Sequence, residues 1–217
     1  MMRTFGKVAL TLGTLSLLAS SAWAQGRGGF GGGGAGFLAA PNVQKDLKLT
    51  DAQVGKVQET LQAVREKHQD EYAALRDASP EERRVKTATL GKAVGEEVKK
   101  ALTLSADQAK RFDQISLQAR GLQAFADPSV AAKLNLTDDQ KAKTREIVEA
   151  TRGSFAGALN KDASQEERTE ARKKMAATQK ENLIKVQALL TDDQKKAWKE
   201  LTGELIEIQY PARRSNN

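Results

Sequence analysis

The chain has no cysteine, a single histidine, four prolines, and only 5% aromatic residues in 217. Each shortage closes a branch. Without cysteine there is no disulfide framework, no thiolate metal site and no residue to carry a lipid anchor. One histidine, His68, is too few for zinc or copper, which gather several imidazole or thiolate ligands. No glycine loop suited to cradling nucleotide phosphates is visible. Nucleophilic catalysis lacks a base near a serine. Paired carboxylates such as Glu81-Glu82, Glu96-Glu97 and Glu166-Glu167 are helix neighbours that point in different directions. The expectation is a protein that is not an enzyme and needs no cofactor. Charge of one sign is also missing. Residues 25–127 carry 16 basic and 14 acidic groups, and residues 128–217 carry 17 and 14, interspersed rather than striped, which disfavours nucleic-acid binding.

Long apolar runs are equally scarce. The longest, Val8 to Leu18, is shorter than the ~20 residues a membrane span needs. It follows Arg3 and Lys7 and precedes Ala22-Trp23-Ala24, the pattern of a secretion signal cleaved after Ala24. Losing Arg3 and Lys7 lowers the net charge from +7 to +5. The expected product is periplasmic or otherwise exported, with no integral membrane segment. Residues 25–36 are mostly glycine and read as a flexible tether, whose ordering would cost too much chain entropy.

What is present is helix-forming residues and repetition. Ala, Lys, Glu, Gln and Leu dominate, a composition that favours helices over sheet. LTDAQ at Leu49–Gln53 recurs as LTDDQ at Leu136–Gln140, and LSADQ at Leu104–Gln108 recurs as LTDDQ at Leu190–Gln194, at offsets of 87 and 86. DASPEER at Asp77–Arg83 returns as DASQEER at Asp162–Arg168, 85 residues on. This periodicity predicts two tandem units, 37–126 and 127–210, followed by a tail at 211–217.

Ser or Thr followed three residues later by Gln or Glu is a capping box, the start of a helix. Six such pairs occur: Thr50 with Gln53, Ser79 with Glu82, Ser105 with Gln108, Thr137 with Gln140, Ser164 with Glu167, and Thr191 with Gln194. They predict an all-α fold with helices over about 51–76, 80–103, 106–124, 138–160, 165–189 and 192–209, and short helices before Leu49 and Leu136. The leucine ahead of each LTxxQ cap is placed to staple the turn, best at Leu49 with Val54. In the first helix Val54, Val57, Leu61, Val64, His68, Tyr72 and Leu75 form one stripe, so His68 is expected in the core, with Phe155 as its counterpart. Gly91 and Gly95 predict a bend or a close helix contact in the second helix.

Cations recur beside the second motif of each unit: Lys99, Lys100, Lys110 and Arg111 in the first, Lys185, Lys195, Lys196 and Lys199 in the second. Long basic stems beside apolar side chains make a surface suited to acidic or partly unfolded segments.

Taken together, the signal segment and the motifs Leu49-Thr50 to Gln53, Leu104-Ser105 to Gln108, Leu136-Thr137 to Gln140 and Leu190-Thr191 to Gln194 resemble the LTxxQ family of periplasmic proteins, of the Spy and CpxP type. The resemblance covers most of residues 40–208. It implies a curved helical hairpin that dimerises into a cradle and binds unfolded or stressed envelope proteins without ATP. In some relatives it implies restraint of a sensor kinase, so the alternative function is a stress regulator or scaffold binding one specific partner. Those relatives carry one unit per chain. Two units here predict a pseudo-dimer within one polypeptide, or a homodimer.

Overall fold

The computed structural model describes residues 35–153 and 164–210. The expected secretion signal, most of the tether, Phe155 and the tail lie outside the described residues. Within them the fold is all-α, with no strand. Nine helices follow in order: α1 (Pro41–Asp46), α2 (Asp51–Lys67), α3 (Gln69–Asp77), α4 (Pro80–Ala101), α5 (Ala106–Arg120), α6 (Pro128–Lys133), α7 (Asp138–Gly153), α8 (Gln165–Ala188) and α9 (Asp192–Thr202). Short 3-10 segments, Ala35–Ala39 and Gly121–Ala126, precede α1 and α6. No described helix is long and apolar enough to cross a membrane.

The side chains segregate into two buried clusters. In the first, Val57, Leu61 and Val64 of α2 meet Leu90, Val94 and Val98 of α4, joined by Phe112 and Ile115 of α5. The i, i+4 spacing puts each set on one helix face, and each fully buried aliphatic side chain stabilises by about 1.5–3 kcal/mol. The second cluster gathers Leu122, Phe125, Val130, Leu134, Leu136, Val148, Val186 and Leu190. One aromatic pair anchors each: Phe37 lies 5.0 Å from Phe112, and Phe125 lies 4.3 Å from Trp198, centroid to centroid. Ala35, inside the stretch read as tether, is almost fully buried, as is Phe37 just beyond it.

Three predicted helix bounds need correction. The helix predicted over 51–76 is broken at His68, whose backbone (φ −99°, ψ 18°) leaves the helical region. His68 is buried, yet its ring is not simply packed: Nδ1 faces Glu71 Oε1 and Nε2 faces Glu97 Oε1, each at 3.2 Å. The helix predicted over 106–124 ends at Arg120, where Gly121 takes φ 48° and the chain tightens into the 3-10 segment.

The helix predicted to reach 209 ends at Thr202. Gly203 adopts φ 64°, ψ −158°, a conformation that L side chains avoid, and residues 204–210 run on without helix. The backbone groups a helix would pair internally are taken by side chains instead. Gln118 Nε2 donates to the Thr202 and Glu204 carbonyls, both at 2.7 Å, and its Oε1 accepts from Ile206 N–H at 3.0 Å. Asn42 donates to Glu207 O at 2.6 Å and accepts from Gln209 N–H at 3.0 Å. Ile208 is thereby buried in the first cluster, so the chain's last described residues pack on its first helices. By contrast α4 runs unbroken through Gly91 and Gly95, and Phe112 packs against Gly95, where an added Cβ would stand 3.5 Å from Cε1. The close contact is present without a break.

Candidate functional site

The LTxxQ motifs are built on chain reversals. Ahead of three of them a residue turns left-handed: Lys48 (φ 51°), Thr103 (φ 51°) and Asn135 (φ 49°). Each sits just past a short or long helix in a Schellman arrangement. The N–H of the following leucine reaches five residues back, Leu49 to Gln44 O, Leu104 to Lys99 O and Leu136 to Ala131 O, each at 3.0 Å. The next residue then caps the following helix. Leu136 and Leu190 are buried, while Leu49 and Leu104 pack half-buried against the first cluster. Val54, the expected staple partner of Leu49, stays 38% exposed, so the core rather than the staple holds that leucine.

All six expected capping boxes form. Gln53 N–H donates to Thr50 Oγ1 at 3.3 Å and Thr50 N–H donates to Gln53 Oε1 at 2.9 Å. Ser105–Gln108, Thr137–Gln140 and Thr191–Gln194 repeat the exchange within 0.1 Å. The boxes at Ser79–Glu82 and Ser164–Glu167 differ in carrying a carboxylate, which the serine's hydrogen bonds hold below the usual glutamate range.

The glutamines have a second set of partners. Gln53 Nε2 donates to Gln108 Oε1, and Gln108 Nε2 donates back to Gln53 Oε1, both at 3.1 Å. Gln140 and Gln194 do the same at 2.7 and 2.9 Å. The remaining amide hydrogens cap carbonyls on the opposite motif: Gln53 reaches Leu102 O (3.1 Å), Gln108 reaches Lys48 O (2.9 Å), Gln140 reaches Leu189 O (2.8 Å) and Gln194 reaches Asn135 O (3.1 Å). Each glutamine thus binds its own helix start, its partner glutamine and the end of another helix. Polar atoms half-withdrawn from water are all paired, which makes the knot worth keeping. One asymmetry stands out. The glutamines are 55 residues apart in the first knot and 54 in the second, and the left-handed residue is missing ahead of Thr191, since Leu189 has φ −74°.

The candidate cations fall into two groups. Lys99 is bound to Glu96 and Asp113, each at 2.9 Å, and lies 5.9 Å from the Phe112 ring centroid, while Arg111 binds Asp46 at 2.6 Å. Burial alone would lower the Lys99 ammonium, but the two carboxylates outweigh it and raise it. Both side chains tie their helices to a neighbour, Lys99 joining α4 to α5 and Arg111 joining α5 to α1, and contribute to the fold. Lys100, Lys110, Lys185, Lys195, Lys196 and Lys199 are exposed. Of these, Lys185 reaches Glu181 at 2.8 Å and Lys195 reaches Asp192 at 3.3 Å, exposed pairs of small energetic weight.

Sequence reasoning missed the amide exchange between motifs. A signal for it was present: all four LTxxQ boxes carry Gln where the other two carry Glu. It also missed a cluster of arginines near the α4 start and α7, which no spacing rule joins because Arg84 and Arg152 come from different helices. Compared with protein-family models, curated proteins and solved structures, the chain matches none.

Proposed function

We propose that the chain is an exported, ATP-independent, chaperone-like member of the LTxxQ group, in which two tandem units replace the two subunits of a dimer. It holds unfolded or stressed envelope proteins on a basic, amphipathic helical face and performs no covalent chemistry. The observation that carries this reading is the incomplete cover of the long helices. On α8 Val186 is the one fully buried residue among those described, and Ile184 remains 45% exposed beside Lys185. On α4 Val85 is 49% exposed between Arg84 and Lys86. Apolar side chains flanked by cations attract by charge at a distance and hold by burial on contact. The knots support the same reading, because the repeated motif residues point into helix ends and leave the outer faces available.

The test is aggregation of a chemically denatured reference protein, followed by light scattering, with and without residues 25–217. Suppression at equimolar or higher amounts is expected, and no suppression would overturn the proposal. Val85→Ser and Ile184→Ser together should weaken it without loss of helicity.

A further inference from the structure

We propose that the cleft between the start of α4 and the α6–α7 pair binds a small organic carboxylate carrying a compact apolar body. The cleft encloses about 310 Å³, the low end of ligand-pocket volumes (~300–1,000 Å³). Phe125, Ala131 and Val148, all buried, form its apolar lining. Four cations share that lining: Arg84, Lys141, Arg145 and Arg152.

Lys141 pairs with Asp138 at 3.0 Å, and the two carboxylates of the lining, Asp127 and Glu149, do not balance the three guanidiniums. Asp127 is engaged elsewhere, with Arg120 at 2.8 Å and with the Ser129 N–H and Oγ at 2.9 and 2.8 Å. Glu149 offsets only part of the charge at Arg152. Burial pushes the Arg152 guanidinium below its ordinary value, and the neighbouring Arg83 and Arg84 push it further. Arg152 donates one bond, to Gln123 Oε1 at 2.7 Å. Arg84 pairs through Nη2 with Glu81, but its Nε is buried with no hydrogen-bond partner among the described residues. A buried donor without an acceptor is rare in folded proteins and points to a missing partner.

Crowded guanidiniums with an unmet donor call for an anion that accepts several N–H bonds, and a planar carboxylate matches the guanidinium fork. The apolar lining decides what the carboxylate is attached to. A bare inorganic anion would leave the accessible apolar wall, from Ala126, Pro128 and Ala132, facing water, whereas an aromatic or branched aliphatic body would cover it. This site does not rest on the chaperone reading, although Arg84 borders both surfaces.

The experiment is calorimetric titration of residues 25–217 with 2-naphthoate, with its neutral analogue 2-naphthamide and with inorganic phosphate. Naphthoate should bind with one site, and naphthamide and phosphate each on the order of tenfold more weakly. Arg152→Gln and Arg145→Gln should each weaken naphthoate by roughly tenfold, while Lys110→Gln leaves it unchanged. Arg145 is exposed, so its variant keeps the fold, which circular dichroism checks. Equal binding of acid and amide, equal binding of phosphate and naphthoate, indifference to both arginine variants, or no binding at millimolar concentration would each overturn the proposal.

Discussion

Gln53 and Gln108 exchange hydrogen bonds through their carboxamides, Nε2 to Oε1 at 3.1 Å in both directions, across 55 residues of chain. An isolated capping box works equally with Gln or Glu at its third position, because only the acceptor oxygen is used. Here the amide hydrogens are used as well. Gln53→Glu keeps the box but removes the donors to Gln108 and Leu102 O and sets a carboxylate against acceptors. We expect a loss of about 1–3 kcal/mol in urea denaturation at pH 7. Glu82→Gln, in a box with no second hydrogen-bond partner among the described residues, should change stability by only a few tenths of a kcal/mol. Equal effects at the two sites would show that the amide exchange carries no energy.

Thr103 is a β-branched residue held at φ 51°. Glycine relieves that conformation, so Thr103→Gly should stabilise by about 1 kcal/mol despite the added freedom of the unfolded chain. Asn135→Gly, replacing a residue that tolerates the same region, should gain less. Thermal and denaturant midpoints of the two variants give the comparison.

Asp127 caps α6 and binds Arg120. Burial would raise its carboxyl, but the Ser129 bonds and the Arg120 charge outweigh that and hold it below the ordinary value of 3.8. A lowered folded value means the carboxylate stabilises the fold fully above pH ~4 and loses that contribution as pH falls through the folded value. Asp127→Asn, which can still cap, should therefore cost roughly 1–3 kcal/mol at pH 7. The gap to the unsubstituted chain should close below pH ~4. A gap independent of pH would assign the loss to packing instead.

Gly203 stops α9 at φ 64°, and an added Cβ would stand 2.4 Å from Gln114 Oε1. Gly203→Ala should destabilise by about 1–3 kcal/mol, mainly through the backbone, since the Gln114 side chain can swing away. The residues beyond it should lose protection first. Hydrogen exchange at Ile206 and Gln209, whose N–H groups are held by Gln118 and Asn42, is the direct readout.

Much of this molecule was legible in its residues because helix starts are local events. A Ser or Thr and the Gln or Glu three positions on decide between them where a helix opens, and every one of the six predicted starts is a helix start. Helix ends were less legible. His68 interrupts a stripe that reads as continuous, since carboxylates on two different helices face its ring, and Glu97 comes from 29 residues away. The stop at Thr202 depends in the same way on Gln118 and Asn42, which are distant in sequence and offer the 204–210 backbone partners that an extra helical turn would otherwise supply.

The sequence by itself determined the helical class, the positions of the caps and the order of the elements, because those follow from bonds closed within four residues. Only the tertiary structure decided that the capping glutamines bind one another, that Lys99 and Arg111 are tied to carboxylates of neighbouring helices, and that Arg84 and Arg152 share one cleft. Those outcomes depend on which helix ends meet in space, and a side chain's remaining donors are committed only when that meeting occurs.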